Sequence, residues 1–110
     1  MSSDLRLVLT TCGNRETADR IASALVGERL AACVNVLPGA RSTFRWQDRI
    51  ESDEEVVMLI KTAEPQLPAI ESTIRALSGY ELPELIAVEI SGGAKDYLKW
   101  VETSIGAETT

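Results

Sequence analysis

Histidine is absent from this chain of 110 residues. Imidazole is the commonest nitrogen ligand for copper and zinc near neutral pH, so an imidazole-based Cu(II) site is excluded. The same absence removes the usual nucleophile–base–orienter arrangements, and no phosphate-cradling glycine motif precedes a helix. Cysteine is scarce: Cys12 and Cys33 are the only two. They form no closely spaced pair, which argues against a closed structural zinc site. Basic runs are missing, and 11 basic against 17 acidic residues leave a net charge of −6. A broad phosphate-binding face, and with it nucleic acid as a partner, is not expected. Near the N-terminus, Asp4 and Arg6 stand beside an apolar run too short and too charged for a signal peptide or membrane span. The expectation is a cytoplasmic protein with no membrane partner.

What is present reads as one domain over residues 1–110, close to the modal domain size. Leu5, Leu7 and Leu9 alternate with Arg6 and Thr10, the two-residue period of a strand over Leu5–Thr11. Asn14 is placed to cap a helix, and Glu16 puts negative charge in its first turn. Ala18, Ile21, Ala22 and Leu25 supply its apolar stripe. From Cys33 a long strand alternates, with Val34 and Val36 on one face and Cys33, Asn35 and Leu37 on the other. Pro38-Gly39 marks a bulge, after which Phe44 and Trp46 oppose Arg41, Thr43 and Arg45. The returning strand, Glu54–Ala63, carries Val56-Val57-Met58-Leu59-Ile60 without a polar face, the pattern of a central strand.

Pro65 and Pro68 suit the first turn of a second helix, with Leu67, Ile70, Ile74 and Leu77 as its stripe and Ser78-Gly79 at its end. Glu84–Ser91 is expected as a fourth strand. A third helix follows from Lys95 to about Ile105, with Tyr97, Leu98, Val101 and Ile105 inward. The order β-α-β-β-α-β is the ferredoxin-like split βαβ sandwich, an α+β fold, here with an extra C-terminal helix. Helices are expected on one face of the sheet only, leaving the other partly apolar. Such a patch marks an interface, so the chain is not expected to be a monomer. Phe44 and Trp46, projecting past the sheet, would reach another subunit.

In that fold the strands bearing Cys12 and Cys33 lie about 10 Å apart, two inter-strand spacings. A disulfide needs Cα atoms within about 7 Å, so no intrachain bridge is expected. Cys33, between Ala32 and Val34, packs as a small hydrophobe, whereas Cys12, beside Gly13 where a loop begins, is the thiol expected to react or bind metal. Glu51, Asp53, Glu54 and Glu55 read as a solvated hairpin turn, with cation recruitment as the functional alternative. Tyr80, Glu81 and Glu84 cluster around Pro83, where paired acids are suited to proton transfer or simply to solvation.

Several words of the sequence resemble the CutA divalent-cation-tolerance family. They are LAACVN at 30–35, Leu37-Pro38-Gly39, Phe44-Arg45-Trp46, Glu54-Glu55-Val56 and Ile60-Lys61-Thr62. Tyr80-Glu81-Leu82-Pro83-Glu84 and Tyr97-Leu98-Lys99-Trp100 continue the likeness, in the family's order, to near the C-terminus. The resemblance implies a homotrimer whose sheets pack around a three-fold axis. It also implies a cleft between subunits built from Asn35, Trp46, Lys61, Tyr80 and Glu84, with Cys33 nearby. Two departures stand out. The family often carries His-Pro before its Tyr-Glu word, where this chain has Leu77, Ser78 and Gly79. After the Trp word Asp48-Arg49 replaces the common Gly-Lys.

Tolerance of divalent cations by a non-enzymatic trimer is the function the resemblance implies, with no obligatory cofactor and copper as the candidate metal. Without imidazole the donors are thiols, thioethers (Met1 and Met58) and carboxylates, so Cu(I) through Cys12 is favoured, with a loose carboxylate site at a subunit boundary involving Glu84 as the alternative. The alternative is a trimeric signalling or scaffold protein akin to the PII regulators, holding a small anion through Lys61 and Arg49 in the inter-subunit cleft. A hydrolase or isomerase using Tyr80, Glu81 and Glu84 is a third reading.

Overall fold

The structure is a computed structural model describing residues 4–106, so Met1 lies outside the described residues. Four strands form one antiparallel sheet: β1 (Leu5–Cys12), β2 (Cys33–Trp46), β3 (Arg49–Ala63) and β4 (Ile86–Glu89), in the order β2-β3-β1-β4. Helix α1 (Arg15–Gly27) joins β1 to β2. A single 3-10 turn (Glu64–Gln66) leads into α2 (Leu67–Leu77), and α3 (Lys95–Thr103) follows β4. β1 and β3 are central, which accounts for the unbroken apolar run at 56–60: such a strand needs apolar side chains on both faces.

Cross-strand register divides the side chains into two faces. Val8, Thr10 and Cys12 stand opposite Ile60, Met58 and Val56, and all six are buried. Ile21 and Leu25 of α1 and Ile70 and Ile74 of α2 join them in the main core. Asn14 caps α1 as expected: its Oδ1 accepts from the Thr17 amide at 2.8 Å. The opposite face carries Leu7, Leu9, Leu37, Val57, Leu59, Ile86 and Val88. Leu37, Ile86 and Val88 keep 45–50 % of their surface exposed.

That second face is not bare throughout, as the one-sided helix pattern anticipated. α3 crosses to it and packs Leu98 and Val101 on Leu5 and Ala32, with Cys33, Ala63, Ile90 and Ile105 around them. Gly93 lies against this helix, where a Cβ would meet the Leu98 methyls at 3.4 Å, an ordinary contact. Tyr97, expected inward, is 43 % exposed and stacks on Trp100 instead, their ring centroids 5.5 Å apart. The helix is short, and Leu98 and Val101 alone occupy its contact stripe.

The Pro38-Gly39 bulge is present, as a register shift between Leu37 and Ala40. Beyond it the ladder continues without interruption to the pair Trp46↔Arg49. The expected polar turn around Glu51–Glu55 is therefore strand, and β3 begins at Arg49 rather than Glu54. The turn itself is only Gln47-Asp48, both with positive φ (51° and 67°). A two-residue turn with both residues left-handed matches the natural twist of its strands, so pairing runs right up to it. β4 is shorter than expected, four residues in place of Glu84–Ser91.

Candidate functional site

The projecting half of the hairpin and the loop at 80–84 face each other across a cleft of about 720 Å³. One face of the hairpin supplies Phe44, Trp46, Glu51, Asp53 and Glu55, while the loop supplies Tyr80, Glu81, Leu82 and Glu84. The register explains the selection. Phe44↔Glu51 and Ser42↔Asp53 are directly opposed pairs, and in both strands alternate residues point to the same side. The loop is tied down at two points. Thr10 donates through Oγ1 to the Glu84 carbonyl, and Tyr80 donates through its hydroxyl to Glu55 Oε2 at 2.6 Å. Burial and that bond to the Glu55 carboxylate both push the Tyr80 phenol well above its ordinary value, so it stays protonated as a donor.

Glu55 was hidden within what looked like an acidic turn. The usable signal was parity: Glu55 shares the period of Val57, Leu59 and Lys61, which puts it on the sheet face that Tyr80 approaches. Cys12 lies beneath this corner, and its accessibility is corrected by the structure. It is fully buried, its Sγ 3.7 Å from Met58 Sδ, although the sequence placed it at an open loop. Burial, and then the Glu55 charge, raise its thiol above the ordinary value. The strand simply runs one residue further than expected, so Cys12 falls on the helix-covered face. Both cysteines are free, and they sit toward opposite ends of the sheet, opposite Val56 and Lys61 respectively.

The residues expected together form two groups within the chain. Trp46, Tyr80 and Glu84 line the cleft. Lys61 lies six residues of β3 away from Glu55, about 20 Å at the usual rise per residue, and Asn35 stands opposite Leu59 beside it. There Lys61 Nζ donates to Asn35 Oδ1 at 2.7 Å and sits 3.9 Å from Cys33 Sγ. Among the described residues, no carboxylate lies within ion-pair distance of Lys61. Arg49, the other candidate anion partner, is exposed and pairs with Glu51 at 3.4 Å.

Neither group completes a metal site alone: among the described residues no cluster of three or more cysteine, aspartate or glutamate ligands is arranged to hold an ion. Cys12 is buried in the main core, whereas Glu84 is exposed and lines the cleft. Among the described residues, no helix is long and apolar enough to cross a membrane.

A ferredoxin-like sheet extended by a long bulged hairpin, with an acidic aromatic cleft along the projecting half, defines a class of small α+β proteins. Within that class the chain belongs to the CutA1 divalent ion tolerance protein family, whose model matches residues 6–104. It is 42 % identical over 100 residues to the divalent-cation tolerance protein CutA of Thermus thermophilus, covering 91 % of this chain and 97 % of that protein. Protein CutA, chloroplastic, of Arabidopsis thaliana is 39 % identical over 98 residues, which is 89 % of this chain but 54 % of the plant protein. The chain thus spans about half the length of that relative. The crystal structure of CutA from Xylella fastidiosa superposes with a TM-score of 0.90 at 47 % identity, covering 94 % of this chain and all of that one.

Proposed function

We propose that this chain serves divalent-cation tolerance as a non-enzymatic homotrimer of the cytoplasm. The family match over residues 6–104 supports the tolerance role. The observation that carries the assembly is the uncovered apolar face: Leu7, Leu9, Leu37, Val57, Leu59, Ile86 and Val88 on one side of a sheet whose other side is buried. Contiguous apolar surface of this kind is an interaction site in soluble proteins. A three-fold arrangement closes it with copies of itself and gives Phe44 and Trp46 a neighbour to cover them. The test is Leu59→Glu, read by native mass spectrometry. The native chain gives three times the 12.0 kDa mass of one chain, and the variant gives single chains. A wild-type monomer at micromolar concentration overturns the assembly.

Copper is the metal we assign to this role, as Cu(I). Its support is the pair of soft sulfur donors, Cys12 Sγ and Met58 Sδ, 3.7 Å apart; Glu84, exposed in the cleft, is the candidate for a separate carboxylate site at a subunit boundary. Desolvation of the thiol opposes deprotonation, so uptake requires Cys12 to be exposed from the core. Anaerobic Cu(I) titration of Cys12→Ala reads this directly; full retention of copper by that variant sinks the assignment.

A second reading rests on Lys61. A partly buried lysine whose ammonium bonds a neutral amide, with no carboxylate within ion-pair distance among the described residues, suits a small anion held between subunits, as in a PII-like signalling trimer. Its test is an anion whose binding is lost in Lys61→Ala while the trimer persists.

A further inference from the structure

We propose that α3 is a shutter over one end of the apolar sheet face, and that Arg29 is the latch that holds it closed. Leu5, Leu7 and Leu9 share one side of β1. Leu5, the first of that row, is buried where Leu98 and Val101 of α3 pack on it and on Ala32. Little else holds the helix down. Its nine residues are too few to stay helical alone in water, so its order comes from what it docks against. Ala94 gives its first turn no side-chain cap. Among the described residues, no backbone hydrogen bond joins residues 91–93 to the sheet.

The far end of the helix is where it is fastened. Arg29, which follows the C-cap of α1, donates through Nε to the Gly106 carbonyl at 2.7 Å and through Nη2 to the Thr103 carbonyl at 3.2 Å. The Gly106 amide donates in return to the Arg29 carbonyl at 2.9 Å. Carbonyls at a helix end lack partners within the helix, and a cation beside them also meets the negative end of its dipole. α3 has no basic residue of its own in its last turn. Arg29 keeps this grip at φ 60°, the left-handed conformation that glycine takes without strain after a helix. An arginine stands where glycine would suit the turn, and its guanidinium supplies what glycine could not. Once the grip is released, Leu98 and Val101 are what remains of the attachment. Opening uncovers Leu5 and Ala32 and lengthens the row of Leu7 and Leu9, so the latch sets how much of that face is available. Leu37, Val57, Leu59, Ile86 and Val88 lie outside the cluster that α3 covers, so the device requires neither the assembly nor a metal.

The experiment is amide hydrogen exchange read by mass spectrometry on the native protein, Arg29→Ala and Arg29→Gly. Limited digestion with trypsin accompanies it, since Lys95 and Lys99 are cleavage sites inside α3. Both variants should raise exchange across α3 by about tenfold or more, the worth of one hydrogen bond to a charged group. Cleavage at Lys95 and Lys99 should quicken with it, while the amides of β1 and β3 exchange as in the native protein. Arg29→Gly separates the latch from the backbone, because it removes the guanidinium and relieves the left-handed turn at once. Native protection of α3 in either variant overturns the proposal. So does an acceleration spread equally over the sheet, which would make Arg29 a support of the whole fold.

Discussion

In the rooted half of the β2–β3 hairpin, Val56, Met58 and Ile60 are buried beneath α1 and α2, and Val34 and Val36 pack beside them. In the projecting half, from Ala40↔Glu55 to Trp46↔Arg49, the same two strands keep their ladder outside the main core. Phe44 and Trp46 there retain 38 % and 37 % of their surface, and Ile50 retains 71 %. Backbone pairing alone does not hold a two-stranded ribbon in water, since an isolated hairpin is marginal at best. The difference teaches where the stability of this chain resides. The rooted half carries the fold, and the projecting half is built for a surface that a single copy does not provide.

Replacing Ile60 by Ala attacks the rooted half and should have the largest effect, a loss of about 2–5 kcal/mol in denaturant unfolding. Ile50→Ala is its counterpart in the projecting half and should stay within about 0.5 kcal/mol. Equal losses at the two positions would erase the contrast. Trp46→Ala sharpens it by separating chain from assembly. In a dissociated single chain the loss should be small, whereas in an assembly that buries the ring it should reach about 3–5 kcal/mol. A loss that does not grow with protein concentration removes the neighbour from the account.

The corner joining the two halves should respond to pH. Tyr80 and Cys12 both have raised values in the folded chain, so the native state holds protons that the unfolded chain releases. Their contribution is complete below the ordinary values of 9.0 for the thiol and 10.0 for the phenol. Above pH 9 it diminishes as pH rises, and melting temperature should fall. Tyr80→Phe should flatten the part of that decline above pH 10, while losing the bond to Glu55 at every pH. The smallest effect belongs to the turn. Asp48, at φ 67°, holds a left-handed conformation that glycine adopts without a Cβ penalty. Asp48→Gly should raise stability by up to about 1 kcal/mol, measured by thermal unfolding.

Much of this architecture was legible in the chain. The apolar run at 56–60 called for a central strand, Asn14 for a helix start, and Pro38-Gly39 for a bulge. Glu51–Glu55 misled because charge density marks solvent, and a projecting strand is as solvated as a turn. Both states satisfy the same composition; only the two left-handed residues at 47–48 decide between them. Cys12 misled because one further residue of strand moves a side chain from a loop to the core.

The resemblance to a known family implied that Trp46, Tyr80 and Glu84 gather, while the element order anticipated a partly apolar sheet face. Local period and residue type set that order, since they act through neighbours in sequence. Which way α3 turns, that Tyr80 finds Glu55, and the particular contacts of Lys61 with Cys33 and Asn35, of which the resemblance gave only the grouping, were decided only in three dimensions. Those contacts join residues 25 to 28 positions apart. Their partners are chosen by register and packing, quantities that belong to the whole sheet and to no segment of it.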